Sequence, residues 1–188
     1  MSIEEARAPR SYAVRRATAE EWQNLRDLRF EALRDPVAHL AFLDRIEDAL
    51  ERPDSFWRDR ARTSAEGTSV ATFVAADGDG DLAGTVTVLV NQPGEPDYVG
   101  ETSSEIRAAL VGVFVRAEHR GIGVIQQLLA MTEGWLQEIG VHRVRLHVHE
   151  ENLRAKHAYA RYGYVDSGAR VEIAGEPHLE MVRELRGR

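Results

Sequence analysis

The sequence contains no cysteine among its 188 residues, which excludes disulfides, thiolate metal sites and cysteine nucleophiles. It also lacks a basic excess, since 24 Lys and Arg stand against 31 Asp and Glu for a net charge of −7. Nucleic acids and anionic membranes bind basic surfaces, so this balance argues against both as partners. No stretch approaches the roughly 20 consecutive apolar residues that a membrane-spanning helix needs.

The amino terminus is short of apolar residues. Residues 1–10 mix acids and bases without the apolar core of a signal peptide, so we expect a disordered tail there. The remaining residues, 11–188, have the length of a single domain. The lack of cysteine and of a signal peptide is compatible with a cytoplasmic protein.

The hydrophobic periodicity predicts a mixed α/β (α+β) fold with helices on both faces of the sheet. Helical spacing is found in residues 22–34 and 39–50 and after Pro53, and later in residues 120–140 and 152–163. Strand patterns occupy residues 12–16, 70–76, 82–91, 110–115, 142–149, 164–173 and 178–185. The acidic segment 77–81 resembles a calcium loop but lacks its later Gly and Glu, so we interpret it as a hairpin turn.

A glycine-containing turn follows the most apolar strand and leads into a helix. Arg120, Gly121 and Gly123 form this turn. Glycine lets the backbone approach a ligand closely, and a helix start offers unpaired N–H groups with partial positive charge. The pattern favours a diphosphate site to which Arg120 adds charge, although an ordinary strand-to-helix turn has the same two glycines. The ending of a nucleotide-triphosphate loop and the third glycine of a dinucleotide site are missing.

A second segment follows the next strand. Asn152 is a good helix cap, and Ala155 and Tyr159 lie four residues apart on one helical face. Gly163 and Tyr164 close the segment. On its own, this pattern is also that of a capped amphipathic helix with a core tyrosine.

Together, the two segments resemble the Gcn5-related N-acetyltransferase (GNAT) superfamily. The Arg/Gln-x-x-Gly-x-Gly/Ala signature is present as Arg120-Gly-Ile-Gly-Val-Ile, and the Asn-x-x-Ala-x-x-x-Tyr-x-x-x-Gly-Phe/Tyr signature is complete. The order of elements agrees over residues 12–185. The resemblance implies a mostly antiparallel twisted sheet of about seven strands. It also implies direct acetyl transfer from acetyl-CoA to a primary amine of a small molecule or peptide, without a metal.

The resemblance also implies roles for individual residues. Backbone groups of Val113 and Val115 hold the pantetheine arm, and Asn152 steadies it. Backbone N–H groups of residues 120–125 hold the pyrophosphate. Tyr159 hydrogen-bonds the sulfur and protonates the departing thiolate, as a phenol with a pKa of roughly 10 is able to do when geometry helps. Ile125 departs from the signature, which has Gly or Ala there. The complete implied acetyl-CoA site is Val113, Phe114, Val115, Arg120, Gly121, Ile122, Gly123, Val124, Ile125, Asn152, Ala155 and Tyr159.

The general base is open at this stage. His149 and Glu150 are candidate catalytic residues, His147 lies on the same strand face as His149, and a water relay is an equal alternative. Histidines two apart on a strand are able to share a metal, but no third ligand is placed. We therefore expect no metal site.

The acceptor is also open. By resemblance, residues 19–62 and 91–105 form the walls of the acceptor pocket. The acids within residues 91–105 suggest a polyamine or aminoglycoside-like amine as the acceptor. A non-catalytic acyl-CoA-binding or regulatory module is the alternative function, supported by Ile125. Transfer to oxygen, a longer acyl chain and a homodimer are further possibilities. The acids concerned are Glu95, Asp97, Glu101 and Glu105.

Overall fold

The computed structural model describes residues 11–185, so the tail predicted at residues 1–10 lies outside it. The strands are β1 (Ala13–Arg16), β2 (Val70–Ala76), β3 (Leu82–Asn91), β4 (Arg107–Val115), β5 (Arg143–His149), β6 (Val165–Ile173) and β7 (Glu176–Glu184). The helices are α1 (Trp22–Arg34), α2 (Ile46–Glu51), α3 (Asp54–Glu66), α4 (Val124–Glu138) and α5 (Leu153–Arg161). No helix within residues 11–185 has the length and apolar character needed to cross a membrane.

The described strands form one sheet in the order β1-β2-β3-β4-β5-β7-β6. Every neighbouring pair is antiparallel except β4 and β5. These two strands pair in parallel over only two positions, Ala108 with Val144 and Ala109 with Arg145. The predicted mixed, mostly antiparallel fold is confirmed, and its one parallel contact is short.

Helices cover both faces of the sheet, as the alternating side chains of the strands require. On one face, Leu128 and Leu136 of α4 pack with Phe73 of β2 in the main core. On the other face, Leu28 of α1 packs with Val74, the next residue along β2. The sheet is therefore a central layer between α4 and the pair α1 and α3.

The local start signals of α1 are confirmed. The N–H of Thr18 donates to a Glu21 carboxylate oxygen at 2.9 Å, and the helix ends at Arg34, before Asp35 and Pro36. Between β2 and β3, Asp77 accepts hydrogen bonds from the backbone N–H groups of Asp79 and Asp81, so the acidic segment is a hairpin turn.

The predicted continuous helix over residues 39–50 is wrong. A short 3-10 turn at Ala38–Leu40 is followed by non-helical chain, and α2 begins only at Ile46. Phe42 packs against two apolar clusters, and Asp44 pairs with Arg29 of α1 at 2.9 Å. These tertiary contacts outweigh the helical periodicity, because local propensity is a weak determinant beside packing.

The core between α4 and the sheet sets the stability of the scaffold. Leu128 is fully buried there, whereas Leu43 is 60% exposed. We expect Leu128→Ala to lower the free energy of unfolding by about 2–5 kcal/mol, because it removes buried methyl groups and leaves a cavity. Leu43→Ala should change it by less than about 0.5 kcal/mol. Urea unfolding of both variants checks this, and equal effects would contradict the assignment of the core.

Candidate active site

The two central strands separate because β4 carries a bulge. In the pairing of β3 with β4, Thr85 lies opposite Phe114 but Thr87 lies opposite Val111, so β4 has one extra residue at this point. Gly112 is in the bulge and has a φ of 60°, a left-handed conformation that glycine adopts without strain. The bulge bends β4 after its two paired positions with β5, and the strands diverge toward their carboxyl ends.

The turn after β4 exposes its backbone at the mouth of this split. Gly121 and Gly123 have φ values of 76° and 91°, and Gly123 is the cap of α4. No atom lies within 4 Å of the place where a Cβ would stand on either glycine. Because the first N–H groups of α4 have no acceptor within the helix, they face this open space with the positive end of the helix dipole. The arrangement fits a diphosphate.

The side chain of Arg120 is anchored to α1. Its Nε donates to the carbonyl oxygen of Val115 at 2.7 Å, and a terminal nitrogen donates to Asp35 at 2.5 Å. Arg154 at the start of α5 lies 3.8 Å from the same carboxylate. Burial opposes the charge of Asp35, but the hydrogen bonds from Arg120 and from the N–H of Val37, with the charges of Arg120 and Arg154, together lower its pKa. Arg120 therefore fixes the loop to α1, and the backbone is left as the source of hydrogen bonds to a diphosphate.

The other predicted acetyl-CoA residues divide between the two faces of the sheet. Val113, Ile125 and Ala155 pack against the core cluster that contains Val115, Val124 and Tyr159. In contrast, the ring of Phe114 packs on the α1 face, and the side chain of Ile122 is exposed. Most of the predicted set thus lies on the α4 face of the sheet, with Phe114 on the α1 face, and the role of the set in binding acetyl-CoA stays a prediction.

Asn152 caps α5 as predicted. Its Oδ1 accepts the N–H of Ala155 at 3.1 Å, and its Nδ2 donates to the carbonyl oxygen of Leu40 at 3.5 Å. The side chain is nearly buried and joins α5 to the segment after α1. Its predicted contact with the pantetheine stays a prediction.

Tyr159 lies in the core beside the split. Its ring meets that of Tyr164 edge-on, with centroids 5.9 Å apart. Burial raises the pKa of the Tyr159 phenol, and the neighbouring Tyr98 raises it further. The hydroxyl therefore keeps its proton at neutral pH and is a hydrogen-bond donor.

The structure does not bring His149 and Glu150 to the phenol of Tyr159. His149 accepts the N–H of Glu151 at 3.1 Å, lies 3.5 Å from Glu176 of β7, and meets the ring of His178 edge-on. Glu150 is exposed, with its carboxylate 3.5 Å from the guanidinium of Arg170 on β6. His149 thus contacts β7 and Glu150 contacts β6, both of which lie on the side of β5 away from β4.

His147 and Tyr98 form a pair that the sequence reasoning missed. The Tyr98 hydroxyl hydrogen-bonds Nδ1 of His147, and their rings meet edge-on at 5.5 Å. Burial lowers the pKa of His147, and the nearby Arg145 lowers it further, so the imidazole is neutral at pH 7. The one signal in the sequence was an aromatic residue in an otherwise polar loop.

The acids of the loop between β3 and β4 are engaged with arginines. Arg145 pairs with Asp97, with Glu101 at 3.1 Å and with Glu180 at 3.1 Å. Arg107 lies 3.5 Å from Asp97 and 3.0 Å from Glu101. Burial opposes the charge of Asp97, but hydrogen bonds from backbone N–H groups and these arginines lower its pKa. The acids thus anchor the loop over β5, which weakens the case for a polyamine.

Within residues 11–185, no three His, Cys, Asp or Glu side chains are grouped so as to hold a metal ion. The neighbouring rings of His147 and His149 accordingly have separate partners, Tyr98 and Glu176.

The sequence profile of the acetyltransferase (GNAT) family matches residues 19–164, so the chain belongs to the GNAT acetyltransferase family. No curated protein matches the sequence. Among solved structures, a GNAT-family acetyltransferase from Streptococcus pneumoniae is 20% identical with a TM-score of 0.70, covering 93% of this chain and 99% of its own.

Two further similar structures contain coenzyme A or acetyl-CoA. PaiA N-acetyltransferase from Thermoplasma acidophilum, in complex with coenzyme A, is 17% identical with a TM-score of 0.71 over 93% of this chain and 99% of its own. NAA60 from Arabidopsis thaliana, in complex with acetyl-CoA, is 17% identical with a TM-score of 0.67 over 94% of this chain and 100% of its own. At these identities the likeness establishes the fold.

Ile125 is half-buried against the core in the first turn of α4, where the family signature has a small residue. We expect Ile125→Ala to destabilise the fold by about 1–3 kcal/mol while CoA binds as tightly or more tightly, because the backbone N–H remains and the phosphates approach more closely. Calorimetry with CoA and with pantetheine, which lacks the diphosphate, localises any change. A folded variant that no longer binds CoA would show that the loop is wrongly aligned.

Proposed function

We propose that the protein is an N-acetyltransferase that moves an acetyl group from acetyl-CoA directly to a primary amine of a small molecule or peptide. The observation that carries this proposal is the split between β4 and β5. It has an open glycine turn at its mouth, a protonated buried phenol beside it and a neutral imidazole on the adjoining strand. Acetyl-CoA supplies the thioester, and the residues supply position and proton transfer.

Binding depends on backbone groups more than on charged side chains. The N–H groups around Gly121, Gly123 and Val124 hold the diphosphate, because the space before them is open and Arg120 is committed to Asp35. The unpaired edge of β4 beyond Ala109 offers N–H and carbonyl groups to the pantetheine amides, as a strand edge does to an added strand.

His147 accepts the proton from the amine. Its low pKa keeps the ring neutral, and in the tautomer whose Nδ1–H donates to the Tyr98 hydroxyl oxygen, Nε2 has the free lone pair that accepts the proton. Leu146 and Val148 face the main core, so His147 lies on the opposite face, which is also the face of Phe114 and α1. We therefore prefer His147 to His149 and Glu150 as the base.

Tyr159 assists departure of the thiolate. The amine nitrogen attacks the thioester carbonyl, the C–S bond breaks, and the sulfur takes a hydrogen bond or a proton from the phenol. The raised pKa of Tyr159 makes full transfer harder, but desolvation raises the pKa of the thiol in the same direction. The hydroxyl is thus a donor at every pH at which the fold is stable.

Acetyl-CoA binding and the role of the phenol are tested together. We expect saturating acetyl-CoA to raise the melting temperature, and Tyr159→Phe to lower kcat by ~100-fold or more with little change in affinity, because only the hydroxyl is lost. Tyr162→Phe is the matched control, since the Tyr162 ring lies against Arg183. Thiol release measured with an amine panel gives the rates.

Two results would count against the proposal. If acetyl-CoA produces neither a thermal shift nor a calorimetric signal, the protein is not an acetyl-CoA enzyme. If acetyl-CoA binds but no amine stimulates thiol release, the non-catalytic acyl-CoA-binding function is favoured instead.

The base is tested by pH dependence. A neutral His147 is active above its lowered pKa, so kcat/KM should fall as the pH drops through a value below the usual 6.5. This fall is the acidic limb of the pH profile of kcat/KM. We expect His147→Gln to remove the limb and to lower kcat/KM by ~100-fold. Tyr98→Phe should move the limb to lower pH, because Nδ1–H donates a stronger hydrogen bond to the hydroxyl oxygen from the imidazolium than from the neutral ring. His149→Gln is the control that should keep the limb, and an unchanged profile for His147→Gln would exclude this base.

A further inference from the structure

A cavity of about 50 Å³ lies between α1, α3 and the outer face of β2, β3 and β4. Gly112 of the β4 bulge forms part of its wall. Because the bulge is where β4 separates from β5, the cavity adjoins the place where acetyl transfer is proposed. It therefore lies where an acceptor amine has to be held, and its lining should report the chemistry of that acceptor.

The cavity has cationic side chains in its lining and no acidic ones within the described part of the chain. Arg29 from α1 and Arg60 from α3 both line it. Threonine hydroxyls of β2 and β3 form its floor, including the Thr72–Thr87 pair whose oxygens are 2.9 Å apart. This lining suits a group that accepts hydrogen bonds and carries negative charge.

The local charges do not balance. One carboxylate, Asp44, pairs with Arg29 at 2.9 Å and with Arg52 at 3.0 Å. Burial opposes its charge, but the hydrogen bonds of these arginines hold the pKa of Asp44 at about 2. The side chain of Arg60 forms no ion pair or hydrogen bond with any residue between 11 and 185, although the residue is exposed to solvent. Desolvation and the charge of Arg29 lower its pKa, and the charge of Asp44 offsets part of this effect. An additional anion here would offset this repulsion.

A neutral donor in the same wall also lacks a partner. Trp57 is 4% exposed, and its indole N–H is buried without an acceptor among the described residues. A buried donor without an acceptor costs about 1–3 kcal/mol, so such groups in native proteins usually meet a ligand, an ion or water. Arg60 and Trp57 thus place two donors without an acceptor among the described residues in the lining of one cavity, the first exposed to solvent and the second buried.

We propose that the acceptor is an aminocarboxylate, whose carboxylate binds Arg60 and the indole N–H of Trp57 in this cavity while its amine faces the split. This inference rests on the proposed acetyl transfer and names its acceptor class. The guanidinium fork matches a carboxylate in two hydrogen bonds, and the small volume favours a short acid over a bulky polycation. Asp97 and Glu101 of the β3–β4 loop are paired with arginines, which reduces the attraction of this loop for a polyamine.

The test uses pairs of amines that differ only in this group. Each acid is assayed beside its carboxamide: 4-aminobutyrate with 4-aminobutanamide, β-alanine with β-alaninamide, and glycine with glycinamide. In at least one pair, we expect kcat/KM to be ~10-fold or more higher for the acid than for its carboxamide. The reason is that the carboxamide loses a hydrogen bond between charged groups. Arg60→Gln should abolish that preference mainly by raising KM, and Trp57→Phe should reduce it.

Arg62→Gln is the matched control. Arg62 lies two residues further along α3, is 63% exposed and pairs with Asp59 at 2.9 Å, so its loss should leave the preference intact. Equal use of acids and amides, or a preference that survives Arg60→Gln, would overturn the inference and leave acetyl transfer standing. If acetyl-CoA binds but no amine of the panel reacts, the acids are titrated calorimetrically into the CoA complex. Failure of wild-type protein to bind any of them more tightly than its amide also overturns the inference.

Failure of the proposed function looks different. In that case either acetyl-CoA itself gives no binding signal, or it binds and neither acids nor amides stimulate thiol release. A titration of acetyl-CoA before the panel, followed by the thiol-release assay, distinguishes both of these from a reaction that uses acids and amides equally.

Discussion

Two neighbouring strands in the middle of the sheet share only two paired positions, and the remaining features of the site follow from that short contact. Had β4 and β5 continued in register, their N–H and carbonyl groups would satisfy one another and leave no edge for a ligand. The bulge at Gly112 prevents this by turning β4 aside. The glycine turn and α5 then begin at the two ends of the same opening, because each directly follows one of the separated strands.

So little backbone pairing makes the two halves of the sheet dependent on side chains that cross between them. α1 and the residue after it provide some of these contacts, beside those that Tyr98, Asp97 and Glu101 make with β5. Glu31 forms two hydrogen bonds of 2.7 Å with Arg116, and Asp35 lies between Arg120 and Arg154. Asn152 adds a bond to the chain just beyond α1. The helix thus bridges the turn after β4 and the start of α5.

The sequence predicted those features that are encoded locally. The strands, the main helices and the capping of α5 by Asn152 depend on neighbouring residues and their spacing, and the structure confirms them. The Tyr98–His147 pair and the uncompensated charge at Arg60 depend on residues distant in sequence, so no periodicity reveals them. The break in the predicted helix over residues 39–50 has the same origin, since long-range packing of Phe42 decides it.

The position of α1 has a thermodynamic consequence. The same helix lines the cavity through Arg29 and holds the glycine turn through Asp35. A ligand at either place therefore acts on a shared rigid element, and the occupancies of the two places are coupled. Such coupling is reciprocal: whatever factor the cosubstrate imposes on the affinity for the acceptor, the acceptor imposes on the affinity for the cosubstrate.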